Sequence, residues 1–250
     1  MASDKEKINK KRLDVLLVEK GFVQTREKAQ ALILAGRILT GDKLLNKPGL
    51  KIDENTEIRI KGELDQYVSR GAYKLKGAIE TFRVHLKDKI CLDVGASTGG
   101  FTQICLENGA TKVYSVDVGH NQLDWLLRKD PRVVSMEGVN MRLANETLLP
   151  EKVDFVCIDA SFISLKLILE PTQKQMKTGA EIIALIKPQF EVGKENVGKG
   201  GIVQDAELHQ EVIREISSYM EKIGFNVLGV IESSIKGQTG NKEFLIYAKL

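Results

Sequence analysis

The spacing of apolar positions changes character part-way along the chain. Up to about residue 62 it forms short helical stripes followed by very short extended pieces. Beyond that point, compact apolar runs alternate with amphipathic stretches. Leu13, Leu16 and Leu17, flanked by Val15 and Val18, predict a helix over 10–20 that Gly21 closes. Thr25 is a suitable N-cap for a second helix over 26–35, with Ala29, Leu32 and Ile33 facing the core and Gly36 ending it. Small strands follow over 37–40, 44–45 and 56–60, separated by turns at Gly41-Asp42 and Pro48-Gly49. The second region begins with a helix over 69–84. Five strands follow, over 89–94, 113–116, 132–136, 153–159 and 180–187, alternating with helices over 101–108, 121–128 and 165–176, the last interrupted or capped around Pro171. A loop over 188–201 leads to a helix over 206–223, and strands over 225–234 and 243–249 close the chain around a polar turn. Such alternation predicts an α/β fold: a mostly parallel seven-stranded sheet covered on both faces, with an antiparallel pair at its edge. The domains are then 1–62, a small α+β unit, and 70–250, joined by a polar linker at 63–69.

The stretch Lys89-Ile90-Cys91-Leu92-Asp93-Val94-Gly95-Ala96-Ser97-Thr98-Gly99-Gly100-Phe101 is the centre of the larger region. It reads as strand, glycine-rich turn, then helix, with backbone amides aimed at whatever binds there. Asp117 ends the next strand, 22 positions beyond Gly95, where an acid binds ribose hydroxyls. The dinucleotide pattern G-x-G-x-x-G is not met, because Ser97 occupies the second glycine position. A pyrophosphate needs that close approach. A ligand with ribose, adenine and a carboxylate suits the loop better, and S-adenosylmethionine is one; the competing reading is a plain strand-to-helix turn. Asn140 and Met141 lie in the loop, 138–142, at the end of the third strand of this region. Asp154 opens the fourth strand and reads equally well as structural. Asp159 and Lys187 end the fourth and fifth strands, which delivers both to the sheet's carboxyl rim. Lys74 lies in the helix before the first of these strands, and Glu243 opens the last strand. The competing reading for each is a surface ion pair.

At 250 residues, with 42% hydrophobic and 28% charged, the chain has the composition of a globular protein. Its net charge is +3, but residues 1–75 hold 16 Lys and Arg against 11 Asp and Glu, a balance of +5 that leaves −2 for the remainder. A basic front end suggests an acidic polymer as partner. Cys91, Cys105 and Cys157 form no C-x-x-C pair and read as free thiols. His85, His120 and His209 have no metal or triad spacing. Neither a secretory leader nor a membrane-length apolar run is visible, so a reducing, cytoplasmic setting is expected.

Two resemblances sharpen this picture. Arg12-Leu13-Asp14-x-x-Leu17, Gly21, Thr25-Arg26-x-x-Ala29 and Ile33-x-x-Gly36-Arg37-Ile38 resemble the small RNA-binding domain of the ribosomal protein S-four type. The resemblance implies RNA contact through Arg12, Arg26, Lys28 and Arg37. The contexts Ser-Arg-Gly-Ala-Tyr-Lys74-Leu, Ile-Asp159-Ala-Ser-Phe, Ile-Lys187-Pro-Gln-Phe-Glu and Gly-Asn-Lys-Glu243-Phe resemble the Lys-Asp-Lys-Glu tetrad of FtsJ-type ribose 2′-O-methyltransferases. Together the two halves resemble the TlyA family of ribosomal RNA cytidine 2′-O-methyltransferases, often labelled haemolysins. The likeness implies a seven-stranded Rossmann-like methyltransferase domain and S-adenosylmethionine at Gly95, Ala96, Ser97, Gly99, Gly100, Phe101, Asp117, Asn140 and Met141. It further implies catalysis by Lys74, Asp159, Lys187 and Glu243, ribosomal RNA or ribosomal subunits as partner, and no metal. A lysine can deprotonate a ribose hydroxyl only as the neutral amine, which makes Lys187, with Lys74 nearby, the expected base. Lys187, Lys194 and Lys199 make the 188–201 loop a candidate RNA clamp, against an ordinary surface loop. The alternatives to the enzyme are a membrane-active haemolysin and an RNA-binding assembly factor without catalysis.

Overall fold

The structure, a computed structural model, describes residues 9–23, 25–61, 66–237 and 239–250. The expectations for 1–8 and for the linker positions 63–65 fall outside the described residues. The chain divides into two compact units, Met1–Gln66 and Tyr67–Leu250.

The first unit runs β1 (Lys10–Arg12), α1 (Leu13–Glu19), α2 (Arg26–Leu34), β2 (Ile38–Thr40), β3 (Lys43–Leu44), β4 (Lys51–Asp53) and β5 (Arg59–Ile60). Leu13, Leu16 and Leu17 of α1 bury themselves against Ala29 and Ile33 of α2 and against Ile38, Leu45 and Ile58. The Thr25 hydroxyl caps α2 by accepting the Lys28 amide at 3.3 Å. The predicted first helix is shorter than expected. Residues 10–12 are a strand instead, paired antiparallel with β4, a partner some 40 positions away that local periodicity cannot reveal.

Asp14 is wholly buried in this unit. Its carboxylate accepts Arg12 Nε at 3.0 Å and Nη2 at 2.9 Å, Arg26 Nη2 at 2.9 Å and Gln30 Nε2 at 3.0 Å. The Arg12 hydrogen bonds, chiefly, hold its carboxyl well below the usual range against the opposing effect of burial.

The second unit contains α3 (Gly71–Phe82), β6 (Ile90–Val94), α4 (Gly100–Glu107), β7 (Lys112–Asp117), α5 (Trp125–Lys129) and β8 (Val133–Glu137). Then come β9 (Val153–Ile158), α6 (Lys166–Gln173), β10 (Met176–Ile186), α7 (Pro188–Glu191), α8 (Ala206–Lys222), β11 (Asn226–Glu232) and β12 (Phe244–Lys249). The sheet order is β11-β12-β10-β9-β6-β7-β8. β12 lies antiparallel between β10 and β11, so the closing hairpin is inserted with β11 at the edge.

Alternate residues of the central strands feed two cores. Leu92, Val94, Val156 and Ile158 pack with α6 and α8 through Ile168, Leu169, Val212 and Ile216. Cys91, Phe155, Cys157 and Ile183 pack with α3 and α4 through Leu75, Ile79, Phe101 and Ile104. All three cysteines are buried and free, with Cys105 Sγ 3.8 Å from Cys157 Sγ.

Two helices depart from the sequence pattern. α5 begins at Trp125 rather than 121, because Asn121 is left-handed (φ +56°) and Asp124 caps the turn by accepting the Leu126 amide at 3.0 Å. The amides of Asn121 and Gln122 donate instead to Glu137. α6 passes through Pro171 to Gln173. One amide hydrogen bond is lost near the helix end, while Ile168, Leu169 and Thr172 stay buried. Among the described residues no helix is long and apolar enough to cross a membrane.

Replacing Asp14 with Asn removes a charge that two guanidinium groups bind. Urea unfolding of the full chain at pH 7 should show a loss of about 1–3 kcal/mol. A depressed folded-state pKa stabilises only above the unfolded value of 3.8, so the gap between wild type and variant should shrink as the pH falls below about 4.

Candidate active site

Parallel strands that end together put their following residues on one rim. Gly95 follows β6, Asp117 ends β7, Asp159 follows β9 and Lys187 follows β10. β12 runs the other way, and Phe244 pairs with Ile186, so Glu243 enters at the same rim. A helix supplies Lys74, on the second turn of α3.

The four residues expected as a tetrad form two ion pairs. Lys74 Nζ lies 2.6 Å from Glu243 Oε2, and both side chains are buried. Lys187 Nζ lies 2.6 Å from Asp159 Oδ1 and donates to Ser161 Oγ at 2.7 Å. The Lys187–Asp159 contact is an ion pair away from the hydrogen-bonding direction, which leaves Asp159 Oδ1 without an aligned donor. The start of α3, three residues before Lys74, approaches Asp159: a methyl group built on Gly71, the first residue of α3, would stand 3.6 Å from Asp159 Oδ2 and 4.0 Å from the Phe101 ring. The structure thus brings Lys74, Asp159, Lys187 and Glu243 to one end of the sheet, beside the glycine loop.

The loop itself is tightly folded. Gly95 is left-handed (φ +84°), and a methyl there would come within 2.7 Å of the Asp159 carbonyl oxygen. Ala96 is buried. Ser97, at the position a dinucleotide site gives to glycine, is itself left-handed (φ +48°) and exposed. Its amide donates to Asp117 Oδ2 at 2.8 Å, while Gly119 N donates to Asp117 Oδ1 at 2.7 Å. Each carboxylate oxygen keeps acceptor capacity for a ribose hydroxyl. Gly99 precedes α4, Gly100 opens it and Phe101 is buried. Past the loop, Val118 is two-thirds exposed at 67%. Asn140 Oδ1 accepts the Arg142 amide at 3.1 Å, and Met141 packs into the core on the α6 side. Asp154 lies at the opposite end of β9, holding Ile90 N and Lys177 Nζ, a structural tie between three strands.

Residues 188–201 are more ordered than a simple loop. α7 and two single turns, Lys194–Asn196 and Lys199–Gly201, occupy them. Asn241, fully buried, accepts Val203 N at 2.9 Å and donates to Gly201 O at 2.8 Å. This pins the segment to the chain that leads into Glu243.

Two features were missed in the sequence. Phe162, 90% exposed, is left-handed (φ +63°) and leans on Phe190 with ring centroids 5.1 Å apart. A large exposed aromatic in a costly backbone conformation, three residues after Asp159, is unusual. Its sequence signal is an aromatic following the Ile-Asp-Ala-Ser turn. The other is Asp93, fully buried one residue before Val94, which reads in the sequence as one polar residue in a strand.

In the first unit, Arg12 and Arg26 share Asp14 and remain about half exposed, at 46% and 52% of their side chains. Lys28 lies in the first turn of α2 and Arg37 Nε donates to Lys61 O at 3.1 Å. Among the described residues no group of three or more His, Cys, Asp and Glu side chains is arranged to hold a metal ion.

Comparison with known proteins gives the following. The FtsJ-like methyltransferase family matches residues 67–250, and the S4 domain matches residues 11–58. The chain is 48% identical over 239 residues to a Bacillus subtilis (strain 168) protein provisionally named rRNA methyltransferase YqxC, covering 95% of this chain and 85% of that one. It is 38% identical over 239 residues to the 16S/23S rRNA (cytidine-2′-O)-methyltransferase TlyA of Mycobacterium tuberculosis (strain ATCC 25618 / H37Rv), covering 95% of this chain and 89% of that one. A solved structure from Streptococcus thermophilus, provisionally called a hemolysin, is similar with a TM-score of 0.74 and 44% identity, covering 97% of this chain and 89% of that one.

Replacing Gly95 with Ala forces a left-handed backbone on a residue with a side chain and drives its methyl into the Asp159 carbonyl. Urea unfolding should show a loss of about 2–4 kcal/mol. A loss below about 0.5 kcal/mol would mean the loop does not depend on this close approach.

Proposed function

The chain belongs to the FtsJ-like methyltransferase family, and from that premise we propose that it methylates a ribose 2′-hydroxyl in ribosomal RNA, with cytidine as the modified nucleotide. The observation that carries this reading is the double ion pair at the rim, set against the glycine loop. S-adenosylmethionine supplies a methyl group already activated on a sulfonium. The residues present fit it: Asp117 has spare acceptor capacity beside the Gly95 turn, and the loop lacks the glycine a pyrophosphate would need.

The protein's own groups then divide the work. Lys187 first gives the proton of its ion pair with Asp159 to solvent and then, as the neutral amine, takes the proton from the 2′-oxygen. Asp159 and Ser161 fix the direction of its nitrogen. Lys74, held by Glu243 in a buried pair, keeps a positive charge near the oxygen as its negative charge develops. The oxygen forms its bond to the methyl carbon as the carbon–sulfur bond breaks, and the proton stays on Lys187 Nζ. Phe162 presents a ring face beside this site for a base to stack on. The S4 unit contributes Arg12, Arg26, Lys28 and Arg37 as phosphate contacts, with Asp14 fixing the first two forks. A ribosomal substrate is in keeping with the cytoplasmic setting expected from the sequence.

Labelled S-adenosylmethionine and ribosomal subunits test this directly. Lys187→Ala should lower methyl incorporation by about 100-fold or more while leaving cofactor affinity within a few-fold. Lys187→Arg should fail as badly, since a guanidinium stays protonated. Activity near wild type in either variant would remove Lys187 from the chemistry. Phe162→Ala should raise the KM for RNA about tenfold with little change in cofactor affinity, the size of one lost stacking contact.

A further inference from the structure

The segments that carry Asp159 and Lys187 stay together beyond their ion pair. Residues 159–165 lead from β9 to α6, and residues 187–191 lead from β10 through α7. Three sets of contacts join them in order along the chain. In the first, Lys187 Nζ lies 2.6 Å from Asp159 Oδ1 and donates to Ser161 Oγ at 2.7 Å. In the second, the rings of Phe190 and Phe162 lie 5.1 Å apart between centroids. In the third, Glu191 Oε2 accepts the Ser164 hydroxyl at 2.6 Å and Oε1 accepts the Leu165 amide at 2.8 Å.

The third contact has no part in the scheme above, yet it is firmly built. Each Glu191 oxygen holds a different donor. Ser164 Oγ is itself fixed, accepting the Lys166 amide at 3.2 Å. Leu165 is buried just ahead of α6, where a carboxylate satisfies an amide the helix leaves free. On the other side, α7 is a single turn that Pro188 begins. The Phe190 and Val192 amides return to the carbonyls of Lys187 and Pro188 at 2.9 and 3.0 Å. A shift of Glu191 therefore reaches Lys187 within one turn.

Phe162 needs such bracing. Its backbone is left-handed (φ +63°) and its ring is 90% exposed, so neither local preference nor burial keeps it in place. A conformation of this kind persists only where its surroundings over-determine it. The Asp159 amide, on the Val94 carbonyl at 2.9 Å, fixes the segment before Phe162. The two Glu191 hydrogen bonds fix it after.

Resting on the methyltransferase reading, we propose that Glu191 is a positioning residue for the reaction, holding the base Lys187 and the stacking ring of Phe162 in one register. Its effect then falls on both chemistry and RNA binding, because the two groups it braces serve one each. It depends on hydrogen-bond geometry rather than on charge, because the Ser164 hydroxyl and the Leu165 amide are neutral donors.

Steady-state methylation of ribosomal subunits, with S-adenosylmethionine affinity measured separately by calorimetry, tests this. Glu191→Ala should lower kcat about tenfold to hundredfold, the effect of a misplaced reacting group, and raise the KM for RNA about tenfold, as loss of the Phe162 stack does. Cofactor Kd should stay within about twofold, since neither Glu191 hydrogen bond reaches the glycine loop. Glu191→Gln should restore kcat and KM to within about threefold of wild type, its carbonyl taking the Leu165 amide and its nitrogen donating to Ser164 Oγ. Combining Glu191→Ala with Phe162→Ala should leave KM within about twofold of Phe162→Ala alone, because the ring is already gone. Ser164→Ala removes one of the two hydrogen bonds; it should show the same pattern in smaller measure, and it serves if Glu191→Ala does not fold. Wild-type constants in Glu191→Ala, KM effects that multiply in the double variant, or a Gln variant as impaired as the Ala variant would overturn the proposal while leaving the methyltransferase reading intact. A wild-type protein that transfers no methyl group to the subunits would overturn both.

Discussion

A lysine ammonium withdrawn from water must find a carboxylate, and a carboxylate must find a donor. That requirement governs the carboxyl rim of this sheet. Lys74 and Glu243 are 169 positions apart in the chain, yet they meet at 2.6 Å in a buried pair. Neither could remain there alone. Removing one leaves an uncompensated charge, a loss of about 3–5 kcal/mol in comparable buried pairs. The insertion of β12 beside β10 is what allows the pairing, since the antiparallel strand starts where the parallel strand ends. Topology and electrostatics therefore specify each other at this point.

The same rim explains why the glycine loop is shaped as it is. Gly95 turns under the Asp159 carbonyl, so the glycine turn packs directly against the backbone that carries the Asp159–Lys187 pair. The Ser97 amide ties the loop to Asp117 in the next strand. The glycine loop and the ion pairs of the rim are therefore not independent modules.

Much of this was legible in the sequence, for identifiable reasons. Apolar runs bounded by glycine and acid located β6, β7, β9 and β10 to within a residue or so at most ends. Asp159 and Lys187 announced themselves by ending two of those runs. Other features were hidden because they depend on distant partners. β1 exists through pairing with β4. The start of α5 is set by Glu137, 16 positions away from Asn121, which takes amides that would otherwise begin the helix. The order of the last two strands is invisible to periodicity, which cannot tell an edge strand from an inserted one. Asp93 was passed over because one acid in an apolar strand gives no hint of which face it occupies. Phe162 was passed over because exposure and backbone strain have no sequence signature. In the basic unit, two of the arginines expected to contact RNA, Arg12 and Arg26, are held by one buried acid, Asp14.

The hemolysin label carried by a structural relative describes that protein, while the function proposed for this rim is transfer to a sugar oxygen. The most direct check is the chemical position of the product. Ribosomal RNA methylated by the purified protein with labelled S-adenosylmethionine should yield label in alkali-resistant dinucleotides, because a 2′-O-methyl ribose cannot cleave its own phosphodiester. Label recovered wholly in alkali-labile mononucleotides, on a base rather than a sugar, would contradict the account.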